Sequence, residues 1–151
     1  MKKIMMVLAM VLTLTTTWAF TGEEAINKQA LNAFRTEFSG ATDAAWTVGS
    51  NYYKVAFTLN DQKLFAFYNS EGDFLGVTRY ISSLQLPLNL QSSLKKESGK
   101  YWISDLFELS NGEGTTYYTT LENADTKIVL KSVDGGSWTV YQKSKNQFNG
   151  L

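Results

Sequence analysis

The stretch "NYYKVAFTLN", residues 51–60, alternates strictly: Tyr53, Val55, Phe57 and Leu59 fall on one side of an extended chain, and Tyr52, Lys54, Ala56 and Thr58 on the other. Side chains of a strand point alternately to its two faces, so this pattern predicts a half-buried strand. It commits the chain to a sheet with something covering its apolar face. "KLFAFY" (63–68) follows across Asn60, Asp61 and Gln62, and "DFLGVTRYI" (73–81) follows across residues 69–72. Links this short join antiparallel neighbours, which predicts a three-stranded meander.

The covering layer is also legible. Thr21 and Glu24 have capping-box spacing, and Ile26, Ala30, Ala33/Phe34 and Phe38 recur every three or four residues until Ser39-Gly40, the signature of an amphipathic helix. "LPLNLQSSLKKESG" gives a second helical signal: Pro87 in a first turn, Leu90 and Leu94 four apart, Lys95 and Lys96 in the last turn, and Gly99 as a stop. Strand-like segments then recur at 101–109, 115–122, 127–133 and 138–143.

Each half therefore carries a helix, a tryptophan (Trp46 or Trp102), a Tyr-Tyr strand, a further strand and an acidic-plus-glycine turn, Glu71-Gly72 or Asp134-Gly135. Similar offsets relate Tyr53 to Tyr118 and Gly72 to Gly135. Internal duplication is the natural inference, with pseudo-repeats at about 20–82 and 83–151 inside one globular domain, 20–151.

The start reads as a secretory signal peptide over 1–19: Lys2 and Lys3, an apolar run from Ile4 to Leu14, and small Thr17 and Ala19 before a cleavage point after Ala19. The run is shorter than the roughly 20 residues a spanning helix needs. A periplasmic or secreted protein is expected, without membrane contact after processing. Lys2 and Lys3 account for two of the 14 basic residues, so the remainder carries 12 against 14 acidic residues. No long block of either sign occurs, which argues against nucleic acid as a partner, because phosphate neutralisation needs a concentrated basic surface.

The 151 residues include neither histidine nor cysteine. That excludes Ser-His-Asp and Cys-His catalysis, disulfide staples and the commonest transition-metal ligands. A carboxylate pair could still do hydrolytic work, with Asp105 and Glu108 as candidates, but three residues apart on a strand they face opposite ways. "FYNSEGDFLG" (67–76) has the look of a cation loop, yet with Gly72 at the sixth position of a calcium loop, Phe67 and Thr78 occupy the first and twelfth, where ligands belong. A hairpin turn is the better reading. No catalytic residues, metal or cofactor are expected, and the protein is read as a non-enzyme.

The exported start, the helix before Trp46, "YYKVAF", "AFYNSEGDFLG", Leu86-Pro87 opening a second helix, Ile103 and "YYTTLENADTKIVLKSVDGG" together resemble the beta-lactamase-inhibitor-like, PepSY-like periplasmic proteins. The resemblance spans almost the whole mature chain. It implies an α+β fold of two PepSY-like/beta-lactamase-inhibitor-like units, with helices packed on one face of an antiparallel sheet and a concave second face able to grip another protein. The inhibitors' tandem repeats are disulfide-bonded, so no inhibitory residues carry over to a chain without cysteine.

Tyr, Phe and Trp number 8, 9 and 4, and within Tyr52/Tyr53 and Tyr117/Tyr118 the two rings of each pair must face opposite ways. The first function to expect is a non-catalytic exported module that binds a protein or peptide of the cell envelope through some of Tyr52, Tyr53, Tyr68, Tyr80, Tyr117, Tyr118 and Tyr141. The alternatives are a small-molecule or carbohydrate-binding envelope protein, a weak carboxylate-dependent hydrolase with a deep acid-lined cavity, or a structural protein that only self-associates.

Overall fold

In the computed structural model, residues 23–146 are described. The expected signal segment and Thr21 of the expected capping box lie outside them. The chain divides into two compact units, the first ending at Arg79 and the second beginning at Tyr80.

In unit 1 a 3₁₀ turn (Glu23–Ala25) leads into helix α1 (Lys28–Glu37). Asn27 is the N-cap, its side-chain oxygen accepting the Gln29 N–H at 2.7 Å. This satisfies one of the amide groups a helix start leaves open. Ile26, just ahead of the helix, and Ala30 and Phe34 on it, four apart, form a buried stripe over the sheet. Phe34 meets Trp46 and Phe57 edge-on, with ring centroids 5.5 and 5.0 Å away.

Beneath it run β1 (Thr42–Val48), β2 (Tyr52–Leu59), β3 (Gln62–Asn69) and β4 (Phe74–Tyr80), each antiparallel to the next. The three-stranded meander expected from the sequence thus gains a fourth strand, β1. "TDAAWTV" hides its strand character because its only large apolar residues are Trp46 and Val48, and a bulge near Asp43, at φ 55°, breaks the alternation. Between β2 and β3, Asn60 and Asp61 both take positive φ (49° and 60°), as a two-residue type I′ hairpin requires.

Unit 2 begins its helical layer with a 3₁₀ turn (Ser83–Gln85) closed by a capping box between Ser82 and Gln85. Helix α2 (Leu88–Glu97) follows Pro87, and Leu86, Leu90 and Leu94 are buried against Leu106, Leu121 and Leu130. Four antiparallel strands carry these: β5 (Trp102–Asn111), β6 (Gly114–Glu122), β7 (Thr126–Val133) and β8 (Thr139–Lys145). Trp138, expected to open the last strand, instead precedes it and donates its indole N–H to the Leu90 carbonyl at 3.1 Å.

In both units a 3₁₀ turn and a helix precede the run of antiparallel strands. Helix α2 begins and ends sixty residues after α1, and the buried and exposed positions of residues 23–40 recur one for one at 83–100. Strand register changes the pairing read from the sequence. Trp46 stands opposite Val55 and Leu106 opposite Thr119, so the counterpart of buried Trp46 is Leu106, not exposed Trp102. Likewise Val48 faces Tyr53 and Glu108 faces Tyr117, which matches Tyr53 with Tyr117 rather than Tyr118.

Candidate functional site

Helices cover one face of each unit's strands, so the aromatic side chains divide by parity. Tyr53 and Tyr68 lie on the α1 side of unit 1, Tyr53 packed against the core and Tyr68 fully buried between Trp46 and Phe74, at centroid distances of 5.8 and 5.7 Å. Burial, with the nearby Glu37 charge adding to it, pushes the Tyr68 hydroxyl well above its ordinary value. Tyr117 packs on the α2 side of unit 2. The other four candidate tyrosines, Tyr52, Tyr80, Tyr118 and Tyr141, are on faces without a helix.

On the helix-free face of unit 2, register builds a row. Phe107 on β5 is opposite Tyr118 on β6, and Tyr118 is opposite Lys131 on β7. Phe107 and Tyr118 are stacked, with centroids 5.2 Å apart and planes 22° from parallel. Tyr141 meets Tyr118 edge-on at 6.0 Å, Tyr80 meets Phe107 edge-on at 6.4 Å, and the Lys131 ammonium lies 5.9 Å from both the Tyr118 and Tyr141 rings. Four rings and a cation make one continuous surface. Phe107 and Tyr118 are buried as its floor, Tyr141 is half-buried, and Tyr80 stands up with 51% of its surface exposed.

Electrostatics fit a dry floor with a polar rim. Burial first, and Tyr141 second, raise the Tyr118 hydroxyl from 10.0 to about 12. Tyr80 is raised by burial and then by the neighbouring charge of Asp105. Asp105 is itself raised by burial, a shift opposed by the Leu106 amide and by Lys127. None of these groups is arranged as an acid–base pair. Asp105 stands opposite Thr120 and Glu108 opposite Tyr117, which puts the two carboxylates on opposite faces.

Unit 1 has its own helix-free surface. There Tyr52 lies 6.5 Å from the Phe67 ring, and the Lys54 and Lys63 ammonium groups lie 4.7 and 5.9 Å from the centre of Phe65. Lys54 is buried, and desolvation, with Lys63 contributing second, lowers its pKa. Phe107, Lys131, Phe65 and Lys54 were absent from the sequence-derived candidates. Their parity relative to the tyrosines could be read along each strand, but their juxtaposition depends on cross-strand register.

The loop at 69–73 is a turn whose polar groups serve the fold. Asn69 accepts the amides of Glu71 and Asp73 at 3.0 and 2.8 Å and donates to the Asp73 carboxylate at 3.0 Å. Gly72 supplies φ 95°. The turn is tied to α1: Asn27 donates to the carbonyls of Ser70 and Glu71, both at 3.3 Å, and Gln29 donates to Asp73 at 3.0 Å. Unit 2 repeats the device with Asn89, which donates to the carbonyls of Gly135 and Gly136 at 2.6 and 2.8 Å. A hollow of about 650 Å³ outside α1 is lined by Gln29, Asn32, Ala33, Thr36 and Glu37, and one of about 420 Å³ lies beside α2. Neither is lined by Asp105 or Glu108. Among the described residues no group of three or more Asp or Glu is gathered as a metal site would need.

Comparison with solved structures finds the same fold elsewhere. A BLIP-like protein from Bacteroides fragilis superposes with a TM-score of 0.68 at 17% identity, covering 83% of this chain and 89% of that one. The fold is the BLIP-like one. A DUF2874 family protein from Bacteroides ovatus gives 0.68 at 14% identity, over 78% of this chain and 86% of its own. A presumed periplasmic protein from Bacteroides eggerthii gives 0.68 at 12% identity, over 82% and 92%. No protein-family model and no curated protein matches the chain. The BLIP-like resemblance expected from the sequence holds at the level of an α+β fold with antiparallel strands, whereas none of these neighbours carries the PepSY name. None is named as an enzyme, one bears a periplasmic name, and no helix among the described residues is long and apolar enough to cross a membrane.

Proposed function

We propose that the protein is an exported, non-catalytic binding module, built by internal duplication, that holds a protein or peptide of the cell envelope on a helix-free sheet face. The observation that carries this reading is the Tyr80–Phe107–Tyr118–Tyr141 surface with Lys131 at its edge. A sheet that needed only to be soluble would present polar residues there. Rigid rings with few rotatable bonds bring large contact area at small entropic cost, and they are over-represented where binding energy concentrates. Tyr80 and Tyr141 offer the accessible edges, while Phe107 and Tyr118 hold them in place. In unit 1, half-buried Tyr52 stands beside buried Phe67 on the helix-free side.

The N-terminal sequence and the periplasmic name of one structural neighbour support export. The BLIP-like name of another supports a protein as the bound species. Binding chemistry also suits a chain without histidine or cysteine.

The test is capture from envelope extracts by wild-type protein and by a Tyr80→Ala/Tyr141→Ala variant matched in circular dichroism. A species retained by wild type and lost from the variant is the expected result. Equal capture by both, or capture by neither, would remove the face from consideration.

A further inference from the structure

Helices α1 and α2 occupy equivalent places in their units, with identical burial along residues 23–40 and 83–100. This makes unit 1 a control for what the fold requires. Where unit 1 exposes Glu24, Lys28 and Asp43, unit 2 exposes Leu84, Leu88 and Ile103, with 82%, 79% and 40% of their surfaces accessible. The same elements form with charged residues at those positions, so packing within a unit does not call for the apolar ones. Exposed apolar groups clustered without a folding role mark a contact surface.

The surroundings select what that contact is. Leu88 and Lys95 are seven apart, hence on one side of α2, and Lys96 and Lys100 follow. Leu84, Leu94, Lys95 and Ile103 line the hollow of about 420 Å³ beside the helix, together with serines and Gln91. From Ser82 to Lys100 the sequence has three lysines and one acid, Glu97, whereas residues 23–40 have Glu23, Glu24 and Glu37 against Lys28 and Arg35. Leu84 in the 3₁₀ turn and Leu88 at the start of α2, with lysines in and just after its last turn, match a surface that is apolar a few ångströms down and negative at its rim.

We propose that the outer face of α2 seats the protein on an anionic lipid bilayer, Leu84 and Leu88 entering the acyl boundary and Lys95, Lys96 and Lys100 lying among the headgroups. The contact is peripheral. It departs from the sequence-based expectation of no membrane contact after processing, and it is independent of the aromatic face.

The experiment is co-sedimentation with vesicles of phosphatidylglycerol and phosphatidylcholine, against phosphatidylcholine alone, for wild type and a Leu84→Gln/Leu88→Gln variant. Both proteins carry the same N-terminal residues, so their difference reports on the helix face. Wild type should sediment with the anionic vesicles and be released by high salt, and the variant should bind about tenfold more weakly or less. Absence of wild-type binding, or equal binding by both proteins, would overturn the proposal. So would a leucine-dependent dimer in sedimentation velocity without lipid, which would assign the face to a second copy of the chain. A Lys95→Ala/Lys96→Ala variant gives a second readout that leaves the apolar residues in place: its affinity should fall and its salt dependence flatten.

Discussion

Replacing Gly72 by alanine should be among the costliest single-atom additions to unit 1. Its φ of 95° disfavours any residue with a Cβ, and a Cβ built there would lie 2.8 Å from both the Ala30 backbone nitrogen and the Gln29 Cβ. Ordinary carbon contacts begin near 3.5 Å, and the obstructing backbone belongs to the first turn of α1, which cannot yield without moving the helix. Unfavourable φ contributes about 1–2 kcal/mol and forced packing about 1–3 kcal/mol, so a loss of about 2–5 kcal/mol follows. That is a large share of a typical domain's stability. Gly112→Ala is the control, since a Cβ there meets nothing within 4 Å. It should leave stability unchanged or raise it by about 0.4–1 kcal/mol through the unfolded chain. Urea unfolding followed by circular dichroism measures both. The loss in a double variant with Asn27→Ala should be smaller than the sum of the two single losses, because lifting the turn already breaks the Asn27 contacts. A Gly72→Ala protein within about 0.5 kcal/mol of wild type would refute the close packing of turn on helix.

Two further outcomes follow from the cores and the aromatic face. Phe34→Ala removes the ring that meets both Trp46 and Phe57 and should cost about 3–5 kcal/mol in the same unfolding assay; the outward-facing Thr36→Ala should cost little. The Tyr118 hydroxyl titrates at about 12 in the folded protein against 10.0 ordinarily, so above pH 10 the unfolded chain releases a proton that the native one keeps. Stability should fall as pH rises from 10 towards 12, and Tyr118→Phe should flatten that decline; an unchanged slope would show that the hydroxyl is not buried.

Residues differ in how far the sequence alone could place them. Strand β2 was legible because its larger apolar residues hold one parity through "YYKVAFTL", β3 because the short apolar run "LFAF" follows across a polar turn, and both helices because buried residues recur at four-residue intervals. Strand β1 was not, since two alanines and a bulge blur its alternation. Sequence likeness also matched the wrong partners, Trp46 with Trp102 and Tyr53 with Tyr118. In the structure Trp46 and Leu106 fill the same niche, and the Tyr-Tyr pair of β6 sits one position further along its strand than that of β2, which exchanges the faces its two rings occupy. Parity along one strand could separate Tyr52 from Tyr53 and Tyr117 from Tyr118. It could not assemble Phe107, Tyr118 and Lys131 into a row, because register between strands is a property of turns and packing. The exposed leucines of α2 acquire meaning only against their charged counterparts in unit 1.

The asparagine ties between helix and turn bear on how each unit reaches its native state. Asn27 is held by carbonyls 43 and 44 residues downstream, and Asn89 by carbonyls 46 and 47 residues downstream. Each helix comes ahead of the strands it covers, yet its anchor belongs to the turn between the last two of them. Until that hairpin closes, a ten-residue helix of modest intrinsic propensity has little to keep it formed. Closing a loop of this length precedes its reward, so each unit gains its helical layer late and together with its final hairpin, and a helix docked early on a half-made sheet has no latch to retain it.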